Sequence, residues 1–373
     1  MKFIILEIRG EAKMKIKSNL NYYILMLGLI LIGILLVNNI CNQCFVEAAP
    51  GNWIDKSKGL SGKYASSIVI NPVNNQILYV AMYEKGVFKT TNAAQTWYAI
   101  NNGLNTPESK QVISLTICSS NPEILYVGTN KAEIYKSIDG GKSWKLSNQG
   151  IEPGTVFYTQ VFSINIDPSN SSIIYAATST GIYKSTNGGN SWDRVGSNKT
   201  GLSNSFNKGI AIDCKNPFVL YAASQKGVFK STNQGKSWFA IGPEGEYVHF
   251  ITIHPVKHNI IYIGTSKGLF KSSDSGENWV KTGLKSKTSG IFPSVKSIVI
   301  NPAVPQVIYV GSNLGIFKST DGGETWKEME PKKMILLWSS NALTIDFTGP
   351  VIIYSAANGF KDKPGGFVWS WTD

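Results

Sequence analysis

Seven times along the chain, a short stretch alternates apolar and polar residues and stops near an Asn or Asp with Pro close by. A run rich in Ile, Val and Leu follows, carrying one tyrosine: Tyr79, Tyr126, Tyr175, Tyr221, Tyr262, Tyr309 and Tyr354. The alternating stretch reads as a strand with one covered face, and the apolar run as a strand covered on both. In the sixth unit these are Ser297–Ile300 (strand a) and Val307–Gly311 (strand b), followed by Gly315–Ser319 (strand c). The first six units then close on Lys-Ser/Thr-x-Asp/Asn-x-Gly-x-Ser/Thr-Trp, and the tryptophan is expected to open a fourth strand, d. The tryptophans are Trp97, Trp144, Trp192, Trp238, Trp279 and Trp326, 41 to 48 residues apart.

Four short strands in ~40–50 residues is the size of one propeller blade. The predicted fold is all-β: a seven-bladed β-propeller of four-stranded antiparallel blades over residues 49–373. The seventh unit, residues 337–371, has strands a to c but no Trp-led strand d. Residues 53–60 begin with Trp53 and end in Gly-Leu, as residues 97–104 do. Residues 52–60 are therefore expected to form the outer strand of the last blade, removing an open sheet edge.

Within the nine-residue box, the Asp or Asn side chain can accept hydrogen bonds from nearby backbone N–H groups, and Gly supplies a positive φ. The box positions are Asn92, Asp139, Asn187, Asn233, Asp274 and Asp321, with Ala94 in place of the second Gly of the first copy. Each tryptophan is expected in a seam between blades, where an aromatic buries roughly 150–250 Å². These residues carry a resemblance: the chain is similar to the Asp-box, or BNR-repeat, propellers. They include sialidases, xyloglucan-degrading glycosidases, sortilin-type receptors and photosystem II assembly factors. The last group is the most similar in organisation, and the resemblance implies protein binding through a basic patch on one face.

Residues 1–48 differ in composition. Lys13, Lys15 and Lys17 precede an uncharged apolar run of 14 residues, Ile24–Val37, and small residues stand at Val46 and Ala48. This is the pattern of a secretory signal peptide cleaved after Ala48. The alternative is a retained anchor, but 14 helical residues reach only about 21 Å of a ~30 Å hydrocarbon core. The expected location is secreted or periplasmic. Beyond the leader remain Cys118 and Cys214, two blades apart and expected as separate buried thiols, since a disulfide requires Cα atoms within about 7 Å.

Residues 49–373 hold 31 basic against 21 acidic residues, and the only arginine among them is Arg194. One arginine cannot form the three-arginine carboxylate clamp of sialidases. Lysine suits diffuse attraction better than bidentate anion capture, and nucleic acid is not the expected partner. His249 and His254, five apart on one strand, are expected on opposite faces and unable to share a metal. Neither a metal nor a cofactor is expected. Gly141-Lys142-Ser143 and Gly235-Lys236-Ser237 imitate a phosphate loop but belong to boxes. Asp167, Asp213 and Asp346 end strand a where Asn71 and Asn301 stand in other blades, which marks a turn position. Glu108, Glu152, Glu244 and Glu246 precede strand a and are the candidates for a two-carboxylate glycosidase.

The box-leading lysines Lys89, Lys136, Lys184, Lys230, Lys271 and Lys318 recur in every blade but the last and are read as structural, their ammonium groups in water. Binding residues are sought instead in what differs between blades. The loops into strand a carry Lys63, Tyr64, Lys110, Tyr158, Lys208, Tyr247, His249, Phe292, Lys296 and Trp338. The turns between strands b and c add Lys85, Lys131, Lys226 and Lys267. A channel mouth of lysines and aromatics suits an acidic peptide segment or a polyanionic or sugar chain. The expectation is a monomeric, non-catalytic scaffold that binds an acidic segment of a membrane or exported protein. A polysaccharide-active hydrolase or carbohydrate-binding propeller is the alternative.

Overall fold

Strand b is buried on both faces in each of the first six blades, as Leu78–Met82 and Leu125–Thr129 show. Its alternate residues serve the two seams on either side. In blade 1, Leu78, Val80 and Met82 pack with Tyr354 and Val368 of blade 7. Tyr79 and Ala81 pack with Leu115, Val127 and Trp144 of blade 2. The computed structural model describes residues 53–62, 64–131, 133–152, 159–202, 206–286, 289–329, 340–360 and 363–373. The leader lies outside them.

The strands form seven four-stranded antiparallel sheets. Strand a is innermost: Ala65–Ile70, Val112–Ile117, Val161–Asp167, Asn207–Ile212, Val248–Ile253, Val295–Ile300 and Ser340–Asp346. The last sheet contains the pair Ile54–Asp55, with Ile54 opposite Ser370 and Asp55 opposite Trp369. Beyond that two-residue ladder, Lys56 N–H donates to Val368 O at 2.8 Å. Trp53 Nε1 donates to Met329 O at 3.1 Å, and its ring tilts against Trp371. Among the described residues, no helix is long and apolar enough to cross a membrane.

Each box folds the same way. In the second copy, Asp139 accepts from Ser143 N–H at 2.9 Å and from Ser137 Oγ at 2.8 Å. Asn187 repeats the pattern with Ser191 N–H and Ser185 Oγ, both at 2.9 Å. Asn92, Asn233, Asp274 and Asp321 likewise cap their turns. Trp97, Trp144, Trp192 and Trp238 are buried, and their ring N–H groups donate to backbone carbonyls in the d segment of the preceding blade. Burial of one such ring contributes about 4–6 kcal/mol. Trp279 donates to Ile241 O in the same way, whereas Trp326 donates to Gly323 O of its own box.

The tryptophan precedes strand d rather than opening it; in blade 6 the strand is Lys327–Glu328. In the first four copies the Trp backbone N–H is taken by the neighbouring blade, as Trp144 N–H is by Asn102 O at 2.8 Å. The next residue, Gly103, has φ +98°, and a Cβ there would lie 2.0 Å from Trp144 O. This is why Gly recurs at that point: no side chain fits between the two backbones.

The box-leading lysines are not in free water. Lys89, Lys136 and Lys271 donate to Gly140 O, Gly188 O and Gly322 O of the next blade's box at 2.8 to 3.0 Å. Lys230 reaches Ser275 O, Lys184 reaches Gln234 Oε1 and Lys318 reaches Asp373. Each ammonium also stands over the tyrosine opposite it on strand b, 5.1 to 5.9 Å from the ring centroid. Carbonyl acceptors beside an aromatic face replace the lost hydration.

Candidate functional site

A single irregularity, repeated seven times, builds the wall of the central channel. The ladder between strands a and b skips one residue near the start of strand a in every blade, between Ala65 and Ser67 and at the equivalent steps. A bulge re-aims the side chain it frees. The skipped residues are Ser66, Ile113, Phe162, Lys208, His249, Lys296 and Asn341. The first six line a cavity of about 540 Å³ that runs along strands a. Side chains then tie neighbouring inner strands together: Ser66 Oγ donates to Val112 O at 2.8 Å, Ser114 Oγ to Val161 O at 2.9 Å and Asn165 Nδ2 to Ile210 O at 2.9 Å.

Three adjacent blades therefore place Lys208, His249 and Lys296 on one arc, with Phe162 beside it. Lys208 Nζ stands 3.3 Å from the centroid of Phe162 and 5.9 Å from that of Phe206. Burial pulls the Lys208 ammonium down to about 8, assisted by the charge of Lys296. Burial also lowers Lys296. His249 is held at about 4, first by burial and then by Lys296 and Lys208, so its ring is neutral near pH 7. Tyr247 packs edge-on against it at 4.6 Å, and Ser294 Oγ lies 3.4 Å from Nε2. Among the described residues lining the cavity there is no Asp or Glu. The arc is a partly dehydrated cationic surface with an aromatic wall, able to take an anionic group.

The other expected binding residues are placed differently. Tyr64 stacks on Tyr83 at 4.7 Å, and burial raises its hydroxyl to about 12. A chain of hydrogen bonds continues from Tyr83 through Gln111 and Asn130 to Gln160, across blades 1 to 3. Lys110 gives its carbonyl to Gly86 N–H, and neither it nor Phe292 lines the channel. Phe292 carries Lys281 Nζ at 3.4 Å and Lys285 Nζ at 4.8 Å. Lys63, Tyr158 and Trp338 lie outside the described residues. Phe162 was missed, although it occupies the same register as Lys208, and that register is the signal that could have found it.

Three of the four candidate acids are paired with cations near the loops into strand a. Glu108 meets Lys131 at 3.3 Å, Glu246 meets Lys267 at 2.9 Å and Glu152 meets Arg194 at 3.6 Å. The aspartates ending strand a are turn caps: Asp167 accepts from Ser169 N–H and Asp346 from Thr348 N–H, as Asn71 does from Val73 N–H. His249 and His254 both line the channel, as do the four residues between them. They stand at opposite ends of the strand, about 17 Å apart at 3.4 Å per residue. Cys118, directly after strand a of blade 2, is buried, but Cys214, one position further into the a–b turn of blade 4, is exposed.

The fold has counterparts among known proteins. The Sortilin-Vps10 family model (sortilin, neurotensin receptor 3) matches residues 226–363. No curated protein matches the sequence. Among solved structures, a GH74 xyloglucanase from Xanthomonas campestris is similar over 86% of this chain and 55% of its own, with 15% identity and a TM-score of 0.67. The chain thus spans about half the length of that enzyme. A YCF48 bound to D1 peptide is similar over 88% of this chain and 99% of its own, with 14% identity and a TM-score of 0.63. The extracellular domain of a hybrid two component system from B. thetaiotaomicron is similar over 86% of this chain and 42% of its own, with 15% identity and a TM-score of 0.63. At these identities the likeness is one of fold.

Proposed function

We propose that this protein is an extracytoplasmic, non-catalytic scaffold that binds an acidic segment of a partner protein at the mouth of its channel, assisting assembly of a membrane or exported complex. The observation that carries this reading is the arc of Lys208, His249 and Lys296 beside Phe162, in a channel whose described lining includes no carboxylate. Two lysines held below their ordinary pKa by burial gain most from an incoming anion, because the ligand restores what desolvation removed. Phe162 gives an apolar surface for the segment's side chains. That a propeller of this shape is known bound to a peptide supports the reading. The xyloglucanase likeness supports a hydrolase instead, but Glu108, Glu152 and Glu246 are each engaged by a cation away from the channel lining.

The test is fluorescence anisotropy with a labelled Asp- and Glu-rich peptide and its Asn/Gln counterpart. The acidic peptide is expected to bind and the neutral one to fail, with at least a tenfold loss in the Lys208→Met/Lys296→Met variant. Equal binding of both peptides, or no loss in the variant, contradicts the proposal. So does hydrolysis of xyloglucan that disappears in Glu108→Gln or Glu152→Gln.

A further inference from the structure

At the opposite end of the channel, two a–b turns bring together three groups that the binding reading does not use. Asp213 directly follows strand a of blade 4, Cys214 comes next, and His258 stands in the equivalent turn of blade 5. His258 Nδ1 lies 2.5 Å from Asp213 Oδ1, and its Nε2 lies 3.8 Å from Cys214 Sγ. Asp213 and His258 are largely buried, whereas the thiol is exposed beside the channel.

The repeat explains part of this arrangement and leaves the rest. Asp213 also caps its turn, accepting from Lys215 and Asn216 N–H, as Asn71 and Asn301 do in their blades. His258 stands where blade 1 has Asn75, which likewise donates to the cap residue of the preceding blade, Asp346, at 2.9 Å. An amide is enough for that tie between blades. Nothing in the tie requires an imidazole, or a thiol after the cap, where four other blades have Pro72, Pro168, Pro255 and Pro302.

We propose that Cys214, His258 and Asp213 form a thiol–imidazole–carboxylate relay that makes Cys214 a nucleophile toward disulfides. The carboxylate accepts a hydrogen bond from Nδ1–H, which keeps the proton on Nδ1, fixes the tautomer and turns the Nε2 lone pair toward the thiol. His258 Nε2 takes the thiol proton, and the thiolate attacks one sulfur of a disulfide. A new S–S bond forms to Cys214 as the old one breaks. The Cys214 sulfur is oxidised, and the leaving sulfur is reduced and takes the proton from the imidazolium. Among the described residues the other cysteine, Cys118, is buried two blades away, so the mixed disulfide persists until an external thiol removes it. A shared metal fits less well. Asp213 Oδ1 is committed to Nδ1 and two backbone N–H groups, so a metal would have to draw on Oδ2, Cys214 Sγ and His258 Nε2, three ligand atoms where tetrahedral zinc takes four, or three and a water.

The experiment measures the alkylation rate of Cys214 by iodoacetamide at pH 7, located by peptide mass, with N-acetylcysteinamide as reference. Adduct formation with glutathione disulfide is followed by intact mass. Cys214 is expected to react at least tenfold faster than the reference and to form the adduct. His258→Asn, which keeps the amide tie seen at Asn75, is expected to lose that acceleration with an unchanged unfolding midpoint. Asp213→Asn keeps the cap seen at Asn71 and is expected to fall between. A rate equal to the reference, or one indifferent to His258→Asn, overturns the proposal. Full protection of Cys214 by one equivalent of zinc, reversed by chelation, also overturns it in favour of a metal site.

Discussion

Tyr309 donates its hydroxyl to Asp373 Oδ2 at 2.7 Å, and Lys318, its partner across the sheet, holds the same carboxylate. In other blades the equivalent tyrosines reach the next blade's box: Tyr79 donates to Gly140 O, Tyr126 to Gly188 O and Tyr262 to Gly322 O. The seventh unit has no box, and Asp373 supplies the acceptor that a box carbonyl supplies elsewhere. Removing it leaves a buried hydroxyl and a half-buried ammonium unpaired, at about 1–3 kcal/mol. Asp373→Ala is expected to lower the urea midpoint accordingly. Tyr309→Phe alone should cost less, and the double variant less than the sum.

The box aspartates make stability depend on acid pH. Hydrogen bonds to Ser143 hold Asp139 at about 2, those to Asn278 hold Asp274 at about 2, and those to Thr325 hold Asp321 at about 2. The ordinary value is 3.8, so the unfolded chain takes up these protons first as pH falls. Their stabilisation is therefore complete above about 4 and is lost as pH falls from there through about 2. Asn92, Asn187 and Asn233 make the same turns without titrating. The triple variant Asp139→Asn/Asp274→Asn/Asp321→Asn should show a flatter dependence of melting temperature on pH between 4 and 2, measured by circular dichroism.

Gly103→Ala is expected to destabilise the fold by about 1–3 kcal/mol through its left-handed backbone alone. The approach of Trp144 O adds to that cost. Gly290, also at positive φ but with no atom near a new Cβ, is the control in the same denaturation series and should lose less on substitution by Ala.

Affinity for an acidic ligand should depend on alkaline pH. Lys208 sits at about 8 in the free protein, and a bound carboxylate raises that value. Its contribution is therefore complete below about 8 and declines as pH rises past it. Anisotropy titrations at pH 6.5 and 9.5 should show the weaker binding at the higher pH, and Lys208→Met should remove most of the difference. His249, at about 4, should contribute no change between pH 6 and 8.

The blades were legible in the sequence because each repeats one hydrophobic pattern, with Tyr on strand b and Trp after the box marking the phase. Lys208, His249 and Lys296 were legible as departures from that repeat at the start of strand a. Phe162 stands at the same bulge, but an aromatic in an apolar strand does not stand out as a departure from the repeat, and only its register with Lys208 marks it. The acceptors of Lys89 and Lys136 lie about 50 residues away on the next blade, beyond the reach of local pattern. Asp213 read as a turn cap, which it is, but its contact with His258 depends on how two turns from adjacent blades meet.

Zero-length carbodiimide coupling of an acidic peptide to the protein, followed by mapping of the joined lysines, tests the channel-mouth account most directly. The account predicts that Lys208 and Lys296 carry most of the linked peptide, and that free peptide competes the coupling away. Links confined to the outer turn lysines Lys85, Lys226 and Lys267, with Lys208 and Lys296 untouched, would contradict it.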